Sequence, residues 1–321
     1  ASTASKTVSP GLSQTDTAAG VLIAARPAGD RPAREHFNGR VEAPRIIARA
    51  IEKAQTKTLL LTDDDSIVAA WDFSLGIPTD RITDLSPNQL HGTLVNLPTR
   101  AVAGQAWSGE EHCWSKRPAH YGAIHFHDDD LYDCGWDTDF VFTVPNDLPS
   151  AVYAFRLHGD GEEYHIPFVV RAPRGTTTAP VAFLMPTASY MAYANNRIGI
   201  DFPETELVMG RLIQLNAIDL FQQEHPELGL CFYDLHNDRS GVFYSSRLRP
   251  IIDMRPKHIG QLGGVGSNLW QFNADTHILG WLEQLGQSFD VITDEDLERE
   301  GAEALAGYQT IITGTHPEYY S

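Results

Sequence analysis

The chain has 321 residues with a hydrophobic fraction of 42%, enough apolar content for folded domains and too much for wholesale disorder. Its 42 acidic against 24 basic side chains give a formal charge of −18, which excludes nucleic acid and anionic membrane as principal partners, because phosphate-rich surfaces are met by basic ones. No stretch approaches the ~20 apolar residues that span a bilayer. Three cysteines without close pairing (Cys113, Cys134, Cys231) argue against a disulfide framework and for a reducing, cytoplasmic setting.

In chain order, residues 1–20 form a small, polar tail with no signal-peptide core. From 21 to 99 come short strand-like runs at 21–24, 57–61 and 67–71, with a turn at Ser86-Pro87-Asn88 and a predicted helix over 44–54. The spacing predicts the C-terminal part of a β-sandwich. Its last stretch, Asp84-Leu85-Ser86 followed by His91-Gly92-Thr93-Leu94-Val95-Asn96, resembles the closing strands of laminin-G-like, concanavalin-like lectin sandwiches. Residues 100–174 read as a second β region. Phe140-Val141-Phe142-Thr143-Val144-Pro145 alternates, runs at 150–157 and 164–170 follow, and Gly159-Asp160-Gly161 suits a hairpin turn between them. Strands of this kind over about 70 residues predict a small immunoglobulin-like domain.

From 175 to 321 the period changes. Val181–Met185 is a continuous apolar run, as expected of a strand buried on both faces, and runs at 228–233, 289–292 and 310–313 are read the same way. His277, Ile278, Trp281, Leu282 and Leu285 have the spacing of an amphipathic helix opened by Asp275. Strand–helix–strand alternation predicts an α/β domain with a mostly parallel sheet. A buried strand at 310–313 needs flanking structure, yet the last residue follows eight positions later, so we expect a piece of a longer protein.

Gly-x-Ser-x-Gly, P-loop, His-Glu-x-x-His and Cys-x-x-Cys patterns are absent from the sequence. The run Gly260-Gln261-Leu262-Gly263-Gly264-Val265-Gly266 does not directly follow a strand and reads as a plain loop rather than a phosphate cradle. His125-Phe126-His127-Asp128-Asp129-Asp130 sets two histidines on one face of a strand, where they could chelate a metal. The alternative, a strand end running into a solvated acidic turn, is preferred because the segment lies away from the α/β sheet. In open parallel sheets ligands gather beyond the carboxyl ends of the strands. Three segments stand at such ends: residues 188–196, Tyr233-Asp234-Leu235-His236, and Gly314-Thr315-His316-Pro317-Glu318-Tyr319-Tyr320. Each brings tyrosine, histidine or carboxylate to that edge. Buried tyrosines also serve packing with their hydroxyls hydrogen-bonded, so the pattern alone leaves both roles open.

A series of short blocks in fixed order is more specific. Residues 35–46, Ala70-Trp71-Asp72-Phe73-Ser74, Tyr121-Gly122-Ala123, residues 139–145, Ser189-Tyr190-Met191-Ala192-Tyr193-Ala194-Asn195, Arg255-Pro256-Lys257-His258 and His316-Pro317-Glu318-Tyr319 together resemble the large (beta) subunit of the N,N-dimethylformamidase family. The resemblance runs from about residue 21 to the end. It implies hydrolysis of dimethylformamide to formate and dimethylamine by a mononuclear iron, Fe(III), held by two tyrosines and a glutamate in an amidotransferase-like α/β domain. Matched residue by residue, the ligands fall on Tyr193, Tyr233 and Glu318, with His316 as a proton-handling neighbour. The resemblance also implies a small helical partner subunit and further homo-oligomerisation. The family's lectin-like domain begins before Val21, and its α/β domain continues beyond Glu318.

Phenolate and carboxylate are hard oxygens suited to an oxophilic ion, and binding must deprotonate the tyrosines, whose free pKa is ~10. Three protein ligands leave positions for water and the amide oxygen, so the expected chemistry is Lewis-acid amide hydrolysis with His316 or a group outside the chain handling the proton. A tertiary amide carries no N–H, so its selection should rest on a small apolar pocket. Two other readings stand beside this one. The chain could be a non-catalytic carbohydrate-binding array whose six tryptophans stack on sugars, or a related amidase for another small amide.

Overall fold

The computed structural model describes residues 20–28, 31–52, 65–159, 161–202, 204–262 and 269–320. The tail at 1–19, the run at 57–61 and Gly263 to Gly266 of the glycine-rich run lie outside the described residues. The fold is β-rich, with several separate sheets and a set of helices concentrated after residue 186.

Strands β1 (Arg26–Ala28) and β2 (Arg31–Arg34) form a short antiparallel pair. They are followed by β3 (Gly39–Glu42), β4 (Arg45–Ile47), β5 (Ile67–Asp72), β6 (Arg81–Asp84), β7 (Gly92–Thr93), β8 (Thr99–Val102) and β9 (Ala123–Phe126). One antiparallel sheet has the order β4-β5-β6-β7; another, β3-β9-β8, draws strands from both sides of residue 100. Between them Ala69, Trp71, Phe73, Ile82 and Ile124 form a buried cluster. Asp84 secures the corner after β6. Its carboxylate accepts from the N–H groups of Ala70 (2.7 Å), Ser86 (2.9 Å) and Leu90 (2.7 Å) and from the Ser86 hydroxyl (2.7 Å). Burial would raise its pKa, but these hydrogen bonds outweigh it and hold the group below the usual carboxylate range.

Two expectations for this half are corrected. Residues 21–24 join no ladder, Val21 and Leu22 are exposed, and the first ladder begins at β1. In place of the helix predicted over 44–54, the described residues hold β4, whose Ile46 and Ile47 pair with Ala69 and Ile67. Adjacent β-branched side chains fit a pleated surface better than a helix, and the neighbouring strand supplies the ladder.

Strands β10 (Ala151–Gly159) and β11 (Glu162–Val170) form the expected hairpin in continuous register, with Gly161 at φ +83°, a conformation that favours glycine. Residues 140–144 form no strand. They join no ladder, with Val141 85% exposed, and are held by aromatic contacts: Phe140 and Phe142 meet Phe155 edge-on at 5.0 and 5.3 Å. Alternation there serves ring packing rather than backbone pairing.

The last part contains β12 (Val181–Met185), α1 (Thr187–Tyr193), α2 (Ile198–Asp201), α3 (Thr205–Met209), α4 (Ala217–Glu224), α5 (Gln271–Gln284), β13 (Phe289–Thr293), α6 (Asp294–Glu300) and β14 (Thr310–Thr313). The sheet order is β13-β12-β14, with both pairings parallel. β12 lies at its centre, and Phe183, Met185, Tyr190, Tyr193, Phe272, Leu279 and Val291 belong to the core built around it. Val152 and Val169 of the hairpin pack against the same core, and Ser150 Oγ accepts the Val291 N–H at 2.8 Å.

Three expectations are corrected here. β14 exists, but it is an edge strand with mostly exposed side chains rather than a buried one, because it pairs on one side only among the described residues. Residues 228–233 form no strand. A 3-10 turn (Pro226–Leu228) leads into Gly229 at φ +78°, and the Cys231 N–H is taken by the Asp234 carboxylate at 2.7 Å instead of by a ladder. Finally, α5 opens at Gln271, so Asp275 is a fully buried interior residue and no cap. Its buried stripe is Phe272, Asp275, Leu279 and Leu282, while Trp281 and Leu285 face outward. No helix among the described residues is long and apolar enough to cross a membrane.

Candidate functional site

The three segments converge in space, two beyond β12 and β14 and one after a turn, each fixed by a different device. β12 runs through Pro186 into α1, whose last residue is the buried Tyr193. Asn195 follows in the left-handed region (φ +59°), which asparagine tolerates. Its amide donates to the carbonyls of Leu228 (3.2 Å) and Pro250 (2.7 Å) and accepts from the Ile252 N–H (2.9 Å). Arg249, also buried, donates to the carbonyls of Leu228 (2.8 Å) and Ala194 (3.2 Å). The Phe232 N–H donates to the Ala192 carbonyl at 2.9 Å. The end of α1 and the turn that carries Tyr233 are thereby clasped together.

The third segment follows β14. Fully buried Ser189 accepts, through Oγ, the N–H groups of Glu318 (2.9 Å) and Tyr319 (3.0 Å). Asp275 of α5 accepts the Thr315 N–H at 2.6 Å and the Tyr190 hydroxyl. One helix carboxylate therefore joins α1 to the loop bearing His316 and Glu318.

At the meeting point, Tyr193 Oη donates to Glu318 Oε2 at 2.6 Å and lies 2.8 Å from Tyr233 Oη. Tyr233 Oη is 3.3 and 3.4 Å from the two Glu318 oxygens and 2.7 Å from Tyr319 Oη. His316 Nε2 stands 2.9 Å from Glu318 Oε2 and 3.4 Å from Tyr193 Oη. The Tyr193 and Tyr233 rings stack at 4.5 Å, and Trp270 meets Tyr193 edge-on at 5.6 Å and lies 5.0 Å from the His316 ring. The hydrogen bond from Tyr193 and that with His316 hold Glu318 below its usual pKa. Burial, followed by the Glu318 and Tyr233 contacts, pushes the Tyr193 phenol far above its own. Burial and the Tyr233 contact do the same to Tyr319. Without a cation, then, Tyr193 is a protonated donor to an ionised glutamate.

Chemically this is a cluster of three hard oxygens. Their mutual separations of 2.6–3.4 Å match donors sharing one ion at metal–oxygen distances of roughly 2.0–2.2 Å. The donor set therefore suits an oxophilic cation, with a histidine next to it able to carry a proton. The structure brings together Tyr193, Tyr233, Glu318 and His316, although the element before Tyr233 is a turn. The sequence did not single out Tyr319, Trp270 or Ser189, and it marked Asp275 only as a helix cap. Ser189 and Tyr319 lie within segments it marked, but Trp270 follows the glycine-rich loop and carried no local signal. A polar cavity adjoins Trp270, lined by Asp219, Gln222, Asp253, His258 and Gln261.

A family model described as N,N-dimethylformamidase beta subunit-like, C-terminal, matches residues 99–321. The N,N-dimethylformamidase beta subunit of Paracoccus aminophilus is 40% identical over 323 residues, covering 97% of this chain and 42% of that protein. The N,N-dimethylformamidase beta subunit of an Alcaligenes species is 41% identical over 295 residues, covering 88% of this chain and 38% of that protein. The chain spans about two fifths of the length of these relatives.

Proposed function

The chain belongs to the N,N-dimethylformamidase beta subunit-like family, and on that footing we propose that it carries the metal-binding part of an iron-dependent amidohydrolase that converts N,N-dimethylformamide to formate and dimethylamine. The observation that carries this reading is the convergence of the Tyr193, Tyr233 and Glu318 oxygens within 2.6–3.4 Å of one another. Two phenolates and a carboxylate are a hard anionic set that fits Fe(III). When bound, the iron supplies Lewis acidity toward the formyl oxygen and a water molecule.

The remaining work falls to the protein. Tyr193 and Tyr233, as phenolates, and Glu318, whose ionised form the Tyr193 and His316 contacts favour, would hold the ion. His316, within 2.9 Å of Glu318, accepts the proton of the attacking water and returns one to the departing dimethylamine. Ser189 and Asp275 fix the loop that presents His316 and Glu318. The same reading assigns residues 21–99 to the C-terminal part of a lectin-like sandwich, 100–174 to an immunoglobulin-like domain and 175–321 to the first part of an amidotransferase-like α/β domain. The parallel sheet β13-β12-β14, with two of the three site segments beyond the ends of β12 and β14, supports the last of these. The chain would work with a small helical subunit in an oligomeric cytoplasmic enzyme.

The test uses the full-length enzyme. It should contain about one iron per large subunit, as the three-ligand site holds one ion, and show a tyrosinate-to-metal band in the visible. Tyr193→Phe and Tyr233→Phe should each weaken the band and reduce iron content and amide hydrolysis together. Full iron and full activity in either variant would overturn the assignment.

A further inference from the structure

β9 ends in a His-x-His pair. Ile124 and Phe126 turn toward the N-terminal core, so the pleat sends His125 and His127 to the opposite side. There the loop that starts at Tyr233 closes over them. His125 Nε2 lies 2.8 Å from Asp238 Oδ2, and Ser240 Oγ lies 2.9 Å from His127 Nε2 and 2.6 Å from Asp238 Oδ1. One ligand atom from each of His125, His127 and Asp238 falls within 4.8 Å of the other two.

A second layer of contacts orients this set. His127 Nδ1 is 3.0 Å from Asp130 Oδ1, and Asp130 is itself anchored by the His127 N–H at 2.9 Å. A carboxylate behind one ring nitrogen accepts a hydrogen bond from its N–H, which keeps the proton there and leaves the lone pair on the other nitrogen, here Nε2, on the side of Ser240 and Asp238. On the far face of His127 the His236 ring stacks at 3.7 Å and 3° from parallel, and Asp129 holds it at 2.7 Å. The His127 side chain is 1% exposed, whereas those of His125 and Asp238 are 12% and 22% exposed. The site therefore has a rigid, buried base and an open rim.

We propose that His125, His127 and Asp238 bind one divalent first-row transition-metal ion, zinc being the class best suited to two imidazoles and a carboxylate with an open fourth position beside Ser240. Such a set, without thiolate, follows zinc's preference for nitrogen and oxygen donors at three protein positions. The bound ion would pin the end of β9 to the loop that begins at Tyr233, giving that loop a second anchor independent of the tyrosine–glutamate cluster.

The test adds zinc alone to the full-length enzyme after loosely held metal has been removed, with tightly held iron left in place. One zinc per chain beyond the iron is expected. His125→Gln and Asp238→Asn should weaken it by roughly 100-fold or more, since even changes behind a ligand cost 10–100-fold. Both residues sit at the rim, so these variants should keep the fold. Cobalt(II) in place of zinc should give the visible bands of a four-coordinate site, absent in Asp238→Asn and retained in Tyr193→Phe. Zinc bound equally by wild type and both rim variants would overturn the proposal. So would uptake that is lost in Tyr193→Phe but kept in Asp238→Asn, because the ion would then belong to the tyrosine cluster.

Discussion

Tyr233 Oη sits between two hydroxyls, those of Tyr193 at 2.8 Å and Tyr319 at 2.7 Å, so in the proposed centre its electron density would depend on both. Tyr319 is half-buried against the core, where phenylalanine would keep its ring in place, and in the proposed centre its O–H would donate to the Tyr233 oxygen. A hydrogen bond to a charged acceptor contributes about 1.5–3 kcal/mol. Tyr319→Phe should therefore shift the tyrosinate band while leaving iron content near one per chain, because no ligand is lost. An unchanged band would mean that the Tyr319 hydroxyl does not reach the ligand in the loaded enzyme. The adjacent Glu318 differs in kind, since its loss removes a donor outright.

At the scale of elements, the site depends on how closely the loop after β14 packs against β12 and α5. Gly314 marks the closest approach: a Cβ there would meet the Pro186 ring at 2.6 and 2.7 Å and press on the Asp275 carboxylate. Pro186 is backbone-bound and cannot swing away, and Asp275 is occupied by Tyr190 and Thr315. Gly314→Ala should destabilise the protein by about 1–3 kcal/mol, the usual cost of overpacking. It should also lower iron content, because the displaced loop carries His316 and Glu318. Urea denaturation and metal analysis of the variant check the two effects separately, and wild-type values in both would show that the loop yields at no cost.

For the whole molecule, the acidic balance shapes stability against pH. Asp84 ties down the corner after β6, and Asp296 bridges the hairpin to α6 through Arg171, which also forms a paired contact with Glu300 at 2.6 and 3.0 Å. Burial would raise Asp296, but Arg171 and Thr293 outweigh it, so both aspartates have folded-state pKa values below their unfolded ones. A carboxyl of this kind contributes its full stability above the unfolded value of ~3.9 and loses it as pH falls through the folded value. These two carboxyls therefore lower the urea midpoint as pH falls from about 5 to about 3, against the opposite pull of buried Asp253, whose carboxyl burial raises to about 6. Arg171→Met should flatten that decline by removing the partner that holds Asp296 low. The same pH profile in wild type and Arg171→Met would contradict the assignment.

The sequence by itself determined the parts that depend on short-range pattern. The apolar runs of β12 and β13 and the β10–β11 hairpin with its glycine turn are legible within a few residues, whereas the tyrosine, histidine and glutamate of the site were marked locally only as polar groups at an expected sheet edge. Even there the local reading of 228–233 failed, because an aspartate side chain and a left-handed glycine supply the turn contacts that a ladder would have used. Tertiary structure alone decided which distant side chains meet. Asp275 changes from a presumed cap to the buried link between α1 and the loop after β14, and His125 reaches Asp238 across 113 positions of sequence. Hydrophobic period reports the state of the local backbone, whereas a ligand set is assembled by packing between elements far apart in the chain. No local pattern records that distance.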